Sequence, residues 1–263
     1  MSDESGHGRA TGGLEAPAEG LGAELRLAAG FLTIIPLVSA RAATDETVAA
    51  SFAWFPLVGF LLGATLCLED VVLAPLFSQV LRSVLVLLTL TVVTGAVHLD
   101  ALADSADALG AGRDRGRALE ILRDSRIGSF GAVALFFALI LKLLALSTLV
   151  GSRRYAALYL APGFARWAMV AVQDGLAYLR DHGAGSTLLA RAGRRNLVLA
   201  TVTAIAAMLP VFSLQVFEAA ATAAIVTIIM RAFYRRWLGG VTGDLIGACG
   251  ELVEVAVLVA MSL

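Results

Sequence analysis

A chain of 263 residues that is 59% hydrophobic and 16% charged, with a mean hydropathy of +0.83, is too apolar for a soluble domain. Several apolar runs are long enough to cross a bilayer, which excludes a soluble core and leaves an all-α polytopic membrane bundle. The net charge of −1 singles out no partner, and no basic stripe with interleaved aromatics points to nucleic acid.

Residues 1–20 are rich in Gly, Ala, Ser and acids and lack apolar periodicity, so a disordered tail is expected there. They carry no positive n-region of a signal peptide. Residues 21–263 are expected to form one transmembrane catalytic domain. The stretch Leu21–Leu37 is apolar but short, carries Glu24 and Arg26, and has Pro36 near its end. That suits an interfacial or re-entrant helix better than a full span. Thr44-Asp45-Glu46 reads as a helix start. About seven spans follow, over residues 54–68, 80–97, 131–150, 155–178, 196–217, 218–233 and 245–263. Cys67 and Cys249 lie in apolar stretches and read as small hydrophobes without a disulfide. The second span is expected to deliver His98 and the acids beyond it to one surface. Parity puts the 180–195 loop and the turn at 239–244 on that same surface. Most arginines gather there, while Arg82, Arg153 and Arg154 mark the other side. The positive-inside rule makes the acid face cytoplasmic.

Residues 98–128 hold six acids and five arginines. Asp100, Asp104 and Asp107 are spaced i, i+4, i+7, which places three carboxylates within about 60° of arc on a helix. Such a stack repels itself unless a cation sits within it. Glu120 and Asp124 repeat the i, i+4 spacing. Two acidic faces joined by a Gly/Arg turn can ligate a hard divalent cation, and the arginines can hold phosphates. A solvated charged loop with internal ion pairs explains the same residues. Lys142, Arg166, Asp174, Glu251 and Glu254 fall within or at the ends of spans, where charge is costly. Each is either functional or a snorkelling or intrahelically paired side chain. Asp244 reads as a helix N-cap or a metal ligand. His98 reads as a proton donor or an interface residue.

The run His98-Leu99-Asp100-Ala-Leu-Ala-Asp104-Ser-Ala-Asp107, continued by Glu120-Ile-Leu-Arg123-Asp124-Ser125-Arg126-Ile-Gly128-Ser-Phe-Gly131, resembles the signature of the cobalamin synthase (adenosylcobinamide-GDP ribazoletransferase) family. Phe31-Leu32-Thr33 with Pro36, Phe55-Pro56-Leu57-Val58-Gly59 and Gly239-Gly240-Val241-Thr242-Gly243-Asp244 resemble its outer motifs. The resemblance covers nearly all of the chain after residue 22. In one departure, Ala101 and Ala108 stand where glycine commonly follows the first and third aspartates, which favours a more continuous helix. The resemblance implies an Mg²⁺-dependent bacterial inner-membrane transferase. It would join adenosylcobinamide-GDP to α-ribazole, or its 5′-phosphate, and release GMP. On that reading Asp100, Asp104 and Asp107 hold Mg²⁺, with Glu120, Asp124 or Asp244 completing the shell. Asp107 takes the hydroxyl proton and His98 assists. Arg113, Arg115, Arg123 and Arg126 bind the diphosphate. Ser125, Lys142, Arg166, Thr242 and Gly243 are further substrate contacts. A CDP-alcohol phosphotransferase is the competing enzyme class, but its Asp-Gly and Ala-Arg spacings are missing. An ion or proton transporter would place carboxylates near the midplane, whereas the acid stripe here falls at a helix end.

Overall fold

The structure is a computed structural model and describes residues 20–37, 43–124, 126–179, 193–211 and 213–263. All but the last residue of the expected disordered tail lie outside this set, as do Ser125 and the loop residues Arg180, Asp181, His182 and Arg191.

The described chain is almost wholly helical: α1 (Leu21–Leu32), α2 (Asp45–Ser51), a 3₁₀ turn (Phe52–Trp54), α3 (Phe55–Leu73), α4 (Gln79–Val93), α5 (Val97–Leu109), α6 (Arg115–Ile121), α7 (Ser129–Thr148), α8 (Gly151–Gln173), α9 (Arg194–Met208), a second 3₁₀ turn (Leu209–Val211), α10 (Leu214–Trp237) and α11 (Gly243–Met261). Two two-residue strands, β1 (Ala177–Tyr178) and β2 (Gly240–Val241), pair in parallel. Helix starts follow local chemistry. Thr44, Ser78, Asp114 and Thr242 each accept a backbone N–H three residues on, which satisfies one of the orphan donors of a first turn. Thr242 therefore caps α11, and Asp244 sits inside its first turn. The cap expected of Asp244 falls two residues earlier, because the hydroxyl of Thr242 reaches the amide of Leu245 at 3.3 Å.

Helices α8 and α11 form the centre of the bundle and bury most of their residues, charged ones included. Around them α7 and α10 present Phe130, Phe136, Phe137, Leu144, Phe217, Ile225, Ile228 and Ile229 outward. An apolar surface of this extent belongs against lipid. Among the described residues three segments are long and apolar enough to cross a membrane: Asp45–Leu73, Ser129–Thr148 and Leu214–Trp237. Helices α8 and α11 have the length, at 23 and 19 residues, but carry charges that only an encased position tolerates. Helix α1 stops at Leu32, and Thr33 leaves it in an extended conformation, in keeping with a short N-terminal element.

The second expected span differs from its reading. Helix α4 ends at Val93 and α5 leaves it at 86°. Gly95 and Ala96 both turn left-handed there, with φ of +62° and +57°. Two such residues in succession cannot continue an α-helix. His98 is consequently buried in the bundle and is not delivered to a surface.

Helix α3 packs tightly on α8 through glycines. A Cβ on Gly59 would lie 2.4 Å from the carbonyl oxygen of Pro162, and one on Gly63 would lie 2.5 Å from that of Tyr159. Both obstacles are backbone, which cannot give way as a side chain can. Gly63→Val is expected to overpack this seam and destabilise the protein by about 3 kcal/mol. Thermal unfolding in detergent checks this, and an unchanged midpoint would mean that the two helices can separate freely.

Candidate active site

Helix α5 carries Asp100 in its first turn, where a carboxylate suits the helix dipole, followed by Asp104 and Asp107 along the same face. Asp100 is exposed, while Asp104 and Asp107 are half-buried. The Asp107 carboxylate bridges to α7: Oδ2 accepts the amide of Gly128 at 2.7 Å and Oδ1 that of Gly131 at 2.9 Å.

The arginine-rich connection between α5 and α7 is held at its tip by Trp237. The indole Nε1 of Trp237 donates to the carbonyl of Gly112 at 3.1 Å, and Arg115 Nε donates to the carbonyl of Trp237 at 3.0 Å. Arg115 thus anchors the loop to the end of α10. Asp114 caps α6 through the amide of Arg117 at 3.0 Å. Arg126 grips Asp124 through Nη2 at 2.6 Å and Nε at 2.9 Å. These hydrogen bonds pull the exposed Asp124 carboxyl down to about 2, so it stays ionised at any physiological pH. An open hollow of about 790 Å³ lies over α6, lined by Asp114, Arg117, Glu120, Ile121, Arg123 and Asp124. Arg113 stands exposed beside it on the sequence, at the end of the glycine turn.

The C-terminal motif comes to the same end of the bundle. A Cβ on Gly247 would lie 2.7 Å from the Ala101 methyl and 3.7 Å from His98 Cδ2, so the start of α11 runs directly along α5. Asp244 precedes Gly247 by three residues and shares its helix face. Strand β2 is stitched to β1 by the pairs Ala177↔Gly240 and Tyr178↔Val241, and the amide of Leu179 donates to the carbonyl of Val241 at 2.9 Å. The Thr242-Gly243-Asp244 turn is thereby fixed beside the loop after α8.

The deeper charges form an interhelical network, not the snorkelling or intrahelical pairs weighed from sequence. Lys142 of α7 bonds Glu251, and Glu254 at 2.7 Å, both on α11. Glu254 also accepts from Arg166 Nη1 of α8 at 2.6 Å. Arg166 Nη2 reaches His98 Nδ1 at 3.4 Å. A guanidinium only donates, so Nδ1 is the acceptor and the imidazole proton lies on Nε2. Two cations and two anions balance, which burial demands. They line a small cavity of about 10 Å³ with Thr91, Thr94 and Leu99. Lys142 and Arg166 are therefore turned toward glutamates beneath the acid helix. A second buried cluster, not foreseen as one, joins Asp70 to Arg154 and, at 2.8 Å, to Arg82. An acid twelve residues before an arginine, both flanked by apolar runs, was its one sequence signal.

Among the described residues no three His, Cys, Asp or Glu side chains converge as ligands of one metal. Mg²⁺ commonly takes one or two protein carboxylates and completes its octahedron with water and substrate phosphate. Asp100 and Asp104, one helical turn apart beside an arginine loop, fit that requirement.

A sequence profile described as cobalamin-5-phosphate synthase matches residues 24–262. A protein of Syntrophobacter fumaroxidans named adenosylcobinamide-GDP ribazoletransferase is 41% identical over 239 residues, covering 89% of this chain and 95% of its own. Its namesake in Stutzerimonas stutzeri is 41% identical over 244 residues, 91% and 97% of the two chains. The Desulforamulus reducens protein of the same name is 37% identical over 234 residues, 89% and 94%. No solved structure matches the chain.

Proposed function

This chain belongs to the cobalamin-5-phosphate synthase family, and from that premise we propose that it is an adenosylcobinamide-GDP ribazoletransferase. It transfers the cobinamide-phosphate group of adenosylcobinamide-GDP to α-ribazole or its 5′-phosphate and releases GMP. The observation that carries this reading is the family match across nearly the whole chain, acid helix, arginine loop and C-terminal turn included. The three elements gathering at one end of the bundle support it.

In the proposed reaction a ribose hydroxyl oxygen attacks the phosphorus attached to cobinamide. The bond from that phosphorus to the GMP oxygen breaks, and GMP leaves with the electron pair. The hydroxyl proton passes to a carboxylate at the site. Arg113, Arg123 and Arg126 suit the diphosphate, because a guanidinium fork matches phosphate oxygens. The Arg126–Asp124 pair is exposed, and such a pair exchanges readily for an incoming anion. Asp100 and Asp104 would hold Mg²⁺, and Glu120, Asp124 and Asp244 are the carboxylates the resemblance offers to complete its shell. When bound, the ion supplies charge neutralisation on the diphosphate. His98, locked by Arg166, supports the floor of the acid helix.

The enzyme would lie in the bacterial inner membrane with this site facing the cytoplasm. The arginine bias supports that orientation. At the other end Asp70 pairs with both Arg82 and Arg154, and Glu218 pairs with Arg153 at 2.9 Å. Purified protein in nanodiscs, given adenosylcobinamide-GDP, α-ribazole and Mg²⁺, should release GMP. Release no faster than in a control lacking enzyme would overturn the assignment.

A further inference from the structure

We propose that Asp107 is a positioning residue: its carboxylate caps α7 from across the site, closes the base of the arginine loop, and neither ligates metal nor accepts the substrate proton. The catalytic consequence rests on the function proposed above, while the cap itself does not.

The N-cap position of α7 is Gly128, which has no side chain to offer the first turn. Asp107, twenty-one residues earlier on α5, supplies it. The amides it takes are those of the N-cap residue, Gly128, and of the third helical residue, Gly131. These are the two donors that a capping box satisfies from within one helix. A carboxylate at that point also meets the positive end of the helix dipole.

The glycines themselves point to the same role. Gly128 has φ −98° and ψ −176°, an extended backbone open to any residue, so no conformational demand requires glycine there. A Cβ at Gly128 would lie 2.4 Å from Asp107 Oδ1, and one at Gly131 would lie 2.4 Å from Oδ2. At Gly128 every atom in the way belongs to the Asp107 carboxylate. At Gly131 the backbone carbonyl of Ala103, 2.9 Å from such a Cβ, adds to the obstacle. Each oxygen of the carboxylate accepts one of the two amides.

The consequence falls on the intervening loop. With its base closed by Asp107 and its tip held by Trp237 and Arg115, residues 110–124 cannot swing away from α5. The backbone that carries Arg113 and Arg123 is thereby held to the C-terminal end of α5, as a diphosphate shared between arginines and acids requires.

Hydrogen–deuterium exchange on the detergent-purified full chain tests the cap without reference to activity. In Asp107→Asn the amide nitrogen faces a backbone N–H, and in Gly128→Ala the methyl expels the carboxylate. Both variants should raise exchange in a peptide covering residues 126–132 by about tenfold or more, as expected for a lost charge-assisted bond. In the GMP-release assay both should raise KM for adenosylcobinamide-GDP more than they lower kcat, with the Mg²⁺ dependence unchanged. Exchange unchanged in both variants would overturn the cap. So would an Asp107→Asn enzyme that needs about tenfold more Mg²⁺ beside a Gly128→Ala enzyme that does not, the mark of a lost ligand. If Asp107→Asn fails to fold, Gly128→Ala decides alone, since it adds one methyl at an exposed position. If the unmodified protein releases no GMP, the proposed function fails and the exchange result still stands or falls by itself.

Discussion

Asp104→Asn is expected to lower kcat/KM for GMP release by about a thousandfold or more while leaving the fold intact. Asp104 lies one turn from Asp100 on α5, the helix whose Ala101 meets α11 and whose C-terminal end enters the arginine loop. An amide oxygen is a weak substitute for a carboxylate on Mg²⁺, and it brings no charge to offset that of the cation. Stability should move little, because removing one of three acids at i, i+4, i+7 relieves about 0.2–0.5 kcal/mol of repulsion. The measurement pairs steady-state GMP release at saturating Mg²⁺ with a thermal unfolding scan. Near-full turnover would remove Asp104 from the site. A lowered unfolding midpoint alongside lost activity would make its role structural.

Glu254→Gln is expected to produce the largest loss of stability, about 3–5 kcal/mol. Glu254 is the one acid of the deep network that bonds both cations, Lys142 at 2.7 Å and Arg166 at 2.6 Å. All three side chains are nearly inaccessible. Neutralising it leaves two buried cations facing Glu251 alone, in surroundings where an uncompensated charge is costly. The double variant Glu254→Gln/Lys142→Met restores one cation to one anion and should recover part of the loss. That recovery measures the coupling directly. A single variant as stable as the wild type, with no gain in the double, would mean that the network is electrostatically idle.

The two predictions fall on residues of very different legibility. The acid stripe was readable because its signal is local: three aspartates at helical spacing, with small residues between them, need no knowledge of any other element. The Thr44 start was readable for the same reason, as a hydroxyl finds its amide three residues on. Glu254 could be read only as a costly charge, since its partners lie 88 and 112 residues away. Nothing in the local pattern says that Lys142 and Arg166 converge on it.

By itself the sequence determined the helical membrane class, the chemistry-bearing stretch and the family it resembles, all of which rest on composition, periodicity and contiguous motifs. Tertiary structure decided the rest. The break at Gly95–Ala96 turned a continuous-looking apolar run into two helices, and Thr-Gly-Ala, which carries no proline, gives little local sign of it. It also decided which acids are committed. Asp107 and Asp124 read as equivalent to Asp100 and Asp104 in a list of carboxylates. In space Asp107 meets the bare amides of α7, whereas the Asp124 pairing with Arg126, two residues on, is local. Hydrogen-bond partners of a carboxylate are set by three-dimensional proximity, and residues 21 to 24 positions apart become neighbours only when helices close on one another.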